Sequence, residues 1–122
     1  MLPWPPPSGR SMDKALRYLS LAAKAGRLNT GAEDCAKALK KGKGVLLVSA
    51  LDAAENTALQ GQTMAAAGKG AAYMAAPYTK QQISQAVGRA TPVALALICD
   101  KGLAEAFAAA VEKDREEQEE RV

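Results

Sequence analysis

Gly31, Ala32, Glu33, Asp34 and Lys37 stand within seven residues, and Lys40, Lys41 and Lys43 follow directly. Ala32, Cys35, Ala36 and Leu39 recur at i, i+3, i+4 and i+7, which predicts a helix over 31–41 with those residues inward. Free N–H groups at a helix start can hold a phosphate. Gly31 lets a nucleic-acid backbone approach closely. A carboxylate there repels phosphate but accepts hydrogen bonds from a base edge, such as the ring N–H and amino group of guanine. Lys37 reaches phosphate one turn further on, and Lys40, Lys41 and Lys43 extend the basic field. Phosphate contacts position a nucleic acid and base contacts specify it, so the stretch carries both kinds of group. The same residues also read as an ordinary solvated helix: Thr30 and Glu33 have capping-box spacing, and surface lysines need no ligand. Both readings stand on these residues alone.

Other chemistry is thinly represented. The chain has no histidine, which removes the commonest general base and metal ligand. Cys35 and Cys99 form no CxxC pair and are too few for a structural zinc, so they read as buried thiols of a cytosolic protein. No metal and no cofactor is expected. Around Gly68-Lys69-Gly70 a Walker loop fails, because Thr63 takes the first glycine's place and Gly70 the hydroxyl's. These glycines read as a helix-to-strand turn. Asp52, Glu55 and Asp100 fall near strand ends, where α/β enzymes keep carboxylates; each is also placed as a helix cap or first-turn acid. Ser49 and Thr57 have no partner base. An enzyme would need a pocket lined by Ser49, Asp52 and Asp100; no catalytic residue is assigned, and a non-catalytic protein is expected.

The 122 residues suit one domain. Their hydrophobic fraction is 48%, enough for a core, but alanine dominates and aromatics are only 4%, which favours thin layers in close contact. No apolar run approaches the roughly 18 residues of a membrane span, and no secretion-signal pattern opens the chain. Residues 1–50 hold nine Lys/Arg against three Asp/Glu, whereas residues 101–122 hold four against seven. The basic surplus therefore surrounds the 31–43 stretch and favours polyanions.

Residues 1–11 are proline-rich and read as a flexible arm containing Trp4. A domain follows over 12–113, and 114–122 is an acidic polar tail. Within the domain, helices are expected at 13–25, 31–41, 53–67, from the Thr79/Gln82 capping box to Val87, and 101–113. Arg27-Leu28-Asn29 reads as a short extended piece. The continuous apolar run 44–50 reads as a central strand covered on both faces, 71–75 as a short second strand and 93–99 as a third. Alternating helices and strands argue for an α/β domain with helices on both faces of a sheet.

From about Asp13 to Val111 the chain resembles the kink-turn RNA-binding ribosomal protein family (L-seven-Ae / L-thirty-e), and most of all its small bacterial members. The resemblance is carried by ALRYLSLAAKAGRLNTGAEDCAKALKKGKGVLLVSALDAAENT and ISQAVGRATPVALALICDKGLAEAF, and covers roughly four fifths of the chain. It implies a three-layer α-β-α sandwich with a mixed four-stranded sheet, and binding to kink-turn RNA. In that family a Gly-x-Asn-Glu-x-x-Lys segment enters the RNA groove. Gly31 matches the glycine, Glu33 stands at the asparagine, Asp34 at the glutamate and Lys37 at the lysine. The family's second contact, a loop before the last strand, corresponds to Gly88 through Val93. There Arg89 would meet phosphate, Ala90 and Thr91 would line the loop, and Pro92 and Val93 would give an apolar contact to an extruded base. The implied partner is structured RNA, kink-turn or ribosomal, with the ribosome as setting and the cytoplasm as location; a monomer and no membrane partner are expected. The alternative is a protein-interaction module of the same fold with weak or no RNA binding.

Overall fold

The apolar runs at 44–50 and 93–99 lie side by side at the centre of a four-stranded sheet. The computed structural model describes residues 10–67 and 71–121, with side-chain burial given for 14–67 and 71–113. In chain order the elements are α1 (Arg10–Lys24), β1 (Leu28–Thr30), α2 (Ala32–Lys40), β2 (Leu46–Ser49), α3 (Glu55–Ala67), β3 (Ala72–Ala75), α4 (Lys80–Val87), β4 (Leu95–Ile98) and α5 (Lys101–Arg121). The sheet order is β1-β4-β2-β3. β4 runs antiparallel to both β1 and β2, and β2 runs parallel to β3. The sheet is therefore mixed, as the family resemblance implies.

Strand alternation splits the core into two clusters. Leu46, Val48, Ala96 and Ile98 face α1, α4 and α5, packing with Ala15, Leu19, Ile83, Tyr78, Phe107 and Val111. Leu47, Leu95 and Leu97 face α2 and α3, packing with Cys35, Leu39 and Ala65. Every residue of β2 and β4 is buried, which is why neither run alternates with polar residues. Tyr78 and Phe107 pack edge to face with ring centroids 6.4 Å apart. Elsewhere small residues set the spacing. Gly61 and Ala65 are the buried positions of α3, which lets that helix lie directly on Leu47 and Leu95.

Local signals explain most helix ends, with three corrections. The Thr79/Gln82 capping box is present in both directions, and Asp100 Oδ1 accepts from the Leu103 N–H at 3.2 Å. The expected Thr30/Glu33 capping box does not form. Thr30 is still in β1, Gly31 is the N-cap, and no side chain hydrogen-bonds the α2 start. Asp52 does not cap α3; its Oδ1 accepts the Lys80 N–H at 2.8 Å and so tethers the start of α4. α1 begins at Arg10, inside the expected arm, and α5 continues to Arg121 through the expected tail. Nothing from Arg10 to Asp13 breaks a helix, and residues 113–121, Asp114 aside, are strong helix formers without Gly or Pro. Residues 1–9, with Trp4, and the turn at Gly68 and Gly70 lie outside the described residues.

Gly44 is buried where the α2–β2 connection passes over the sheet. A Cβ there would fall 2.7 Å from Leu97 Cδ1 and 2.8 Å from Leu39 Cδ2. Gly44→Ala is expected to destabilise the fold by about 1–3 kcal/mol through overpacking. Chemical denaturation of the variant against the wild type checks it.

Candidate nucleic-acid interface

The α2 start is positioned by a strand pairing. β1 pairs with β4 through Thr30↔Ala96, and the Gly31 N–H continues the ladder to the Leu95 carbonyl at 3.0 Å. At Gly31 the backbone turns with φ 89° and ψ 149°, a conformation open essentially to glycine. The chain then enters α2 with Glu33 and Asp34 in the first turn, both exposed. Without a side-chain cap, the first-turn N–H groups present the positive end of the helix.

Because the pairing is antiparallel, the exit of β1 lies beside the entrance of β4. The loop ahead of β4 is thereby brought to the α2 start. Its ends are pinned: the Arg89 N–H donates to the Ser84 carbonyl at 2.9 Å and the Val93 N–H to the Lys80 carbonyl at 3.2 Å. Gly88 ends α4 in the left-handed conformation that directs the chain into this loop. Arg89, Ala90, Thr91 and Pro92 are exposed between the two anchors, whereas Val93 is 4% exposed and packs in the core. The apolar surface expected from Pro92 and Val93 together is therefore presented by Pro92 alone.

Two grooves result, one on each flank of α2. The first, about 270 Å³, lies between the α2 start and the loop. Thr30, Gly31 and Ala32 form one wall, Arg89 and Thr91 through Leu95 the other, and Thr57 and Gln60 of α3 close it. The second is an open groove of about 640 Å³ on the other flank, lined by Arg27, Asn29, Asp34, Lys37, Lys41, Lys43 and Cys99, with Gly26 and Ala38. Asp34 and Lys37 thus face the second groove, while Gly31 and Ala32 face the first. Lys40 faces neither; it borders an apolar notch with Ala36, Leu39, Met64 and Ala67. Glu33 is exposed and lines none of these grooves.

The missed residues have readable signals. Arg27 and Asn29 alternate across β1's short extended segment, so they share a face. Thr57 and Gln60 are i, i+3 on α3 and share a face likewise. The three groups that an enzyme's pocket would need, Ser49, Asp52 and Asp100, are otherwise engaged. Asp52 and Asp100 hold helix starts, and Ser49 Oγ lies 2.7 Å from Tyr73 Oη. Among the described residues no cluster of three or more His, Cys, Asp or Glu is placed to hold a metal. No described helix is long and apolar enough to cross a membrane.

Beneath α2, Cys35 is buried. Burial foremost, then the charges of Asp34 and Cys99, push its thiol from 9.0 up to about 12.

Comparison with known proteins agrees with this fold. The sequence model of the ribosomal protein L7Ae/L30e/S12e/Gadd45 family matches residues 13–108. Among solved structures, a protein of unknown function from Bacillus halodurans C superposes with a TM-score of 0.72 at 25% identity, over 81% of this chain and 97% of that one. The Giardia lamblia 15.5kD RNA binding protein superposes with a TM-score of 0.65 at 22% identity, over 93% of each chain. No curated protein matches the sequence.

Two outcomes follow from the α2 start. A Cβ at Gly31 meets nothing within 4 Å, so Gly31→Ala tests backbone conformation rather than space. It is expected to lower stability by about 1–3 kcal/mol, read from denaturant midpoints. The Cys35 thiol holds its proton in the folded chain at pH values where the unfolded chain has lost it. Its contribution to stability is complete below about pH 9 and is lost as pH rises toward 12. Denaturation midpoints across that window should fall more steeply for the wild type than for Cys35→Ala.

Proposed function

The chain belongs to the ribosomal protein L7Ae/L30e/S12e/Gadd45 family, and on that premise we propose that it is a non-catalytic protein that binds structured RNA. Its proposed target is a kink-turn-like element, and its setting is the ribosome or another part of the translation machinery. The observation that carries this reading is the first groove. Two stretches remote in sequence line it together, Gly31–Ala32 on one side and Arg89, Thr91 and Pro92 on the other. The Giardia lamblia protein of the same fold is an RNA binding protein, which adds support.

Each residue has a role in this reading. Gly31 admits the RNA backbone, and the uncapped α2 start offers N–H donors to it. Asp34 and Glu33 accept from base edges, and Lys37 reaches a phosphate on the flank. Across the groove Arg89 meets phosphate, Ala90 and Thr91 line the loop, and Pro92 supplies an apolar surface for an unstacked base. Lys41 and Lys40 add to the basic field. The two exposed carboxylates at the α2 start favour a second reading, a protein-interaction module of the same fold. Partners that survive nuclease treatment of a lysate pull-down would support that module.

A gel shift against a simple kink-turn and a mutant lacking its sheared G·A pairs tests the first reading. Preference for the intact element is expected, and equal or absent binding overturns it. Lys37→Ala should weaken binding and flatten the log–log salt slope by about one unit, as for one lost phosphate contact.

A further inference from the structure

Four cations surround the second groove: Arg27 before β1, Lys37 on α2, Lys41 at its C-cap and Lys43 after it. All four are exposed, and no ion pair with another described residue engages any of them. Asp34, in the first turn of α2, is the sole carboxylate among the lining residues. The floor is built: Asn29 Nδ2 donates to Cys99 Sγ at 3.4 Å. The outer posts also stand on fixed backbone. The Arg27 N–H bonds the Ala22 carbonyl at 2.8 Å, and its carbonyl accepts the Cys99 N–H at 2.8 Å. The Lys43 N–H bonds the Ala38 carbonyl at 3.0 Å.

We infer that this groove is a track for an RNA phosphate backbone, with Arg27 and Lys43 as its outer posts. The inference rests on the RNA reading above and extends the RNA footprint past the jaws onto the opposite flank of α2. Its length argues for a chain of phosphates over a single anion. Its wall along α2, from Asp34 to Lys41, spans about 10 Å at 1.5 Å per residue. Lys37 and Lys41 are separated by about 6 Å along the axis, a spacing on the scale of neighbouring phosphates in one strand. Asp34 gives the track a direction: phosphates avoid the end nearest the α2 start, where a base edge can donate to the carboxylate. Four exposed cations have counterions to exchange for phosphates, so binding here must be salt-dependent.

The test is anisotropy titration of the full chain over a salt series. The probes are a kink-turn RNA with flanking helical arms and a plain RNA hairpin of equal length. Arg27→Ala/Lys43→Ala is compared with wild type and with Lys14→Ala/Lys113→Ala, which removes two exposed cations outside both grooves. Circular dichroism verifies that each variant folds. The Arg27/Lys43 pair should reduce the salt slope by about 1.4–1.8 units, which makes binding roughly 20-fold weaker at about 0.15 M salt. The control pair should leave slope and affinity unchanged. If the wild type prefers the kink-turn but the Arg27/Lys43 pair behaves like the control, the track is overturned and the RNA reading stands. If the slope falls as expected on both probes without any preference for the kink-turn, the track stands and kink-turn recognition falls. Failure of the wild type to bind either RNA overturns both.

Discussion

The antiparallel pairing of β1 with β4 is the constraint on which the candidate interface depends. β1 has only three residues, yet its pairing with a fully buried strand places its exit beside the entrance of β4. The Gly31 N–H bond to the Leu95 carbonyl extends that pairing to the first turn of α2. Helix start and loop are thereby held at one sheet edge although 57 residues of chain separate Gly31 from Arg89. Gly31 is the pivot, since its conformation allows the strand to end and the helix to begin within one residue.

The absence of a side-chain cap on α2 follows from the same constraint. Thr30 would have to leave the strand to serve as N-cap, and its pairing with Ala96 keeps it in the ladder. Two features useful for RNA then coincide: N–H donors without a side-chain partner and acidic acceptors in the same turn. The lysines of α2 divide by helical position. Lys37 and Lys41 share a flank with Asp34, while Lys40 borders the notch toward α3. The helix is therefore a wall between two surfaces of different character, one built by backbone and loop, the other by exposed cations.

Much of the architecture could be read from residue patterns. The unalternating apolar run 44–50 identified a central strand, since burial on both faces tolerates such a run, and 93–99 was legible as a strand that the structure places beside it. The alanine-rich, aromatic-poor composition anticipated close layers, and Gly61 and Ala65 show how α3 meets the sheet. The Thr79/Gln82 and Asp100 signals are local and held. Asp52 was legible as a cap, but for the wrong helix: its partner, Lys80, is 28 residues away. Val93 was read with Pro92 as loop surface, because a loop motif does not say which side chain turns inward.

By itself the sequence determined the elements, the glycine at the α2 start, the placement of the basic surplus and the family resemblance. These follow from spacing and residue chemistry within a few turns of chain. Only the tertiary structure decided which distant residues share a groove. Thr57 and Gln60 joined the first groove, and Arg27 and Cys99 the second, through sheet order and helix packing. The physical reason is that strand pairing and layer packing join residues by direction in space, and periodicity along the chain records only which face of an element a residue occupies.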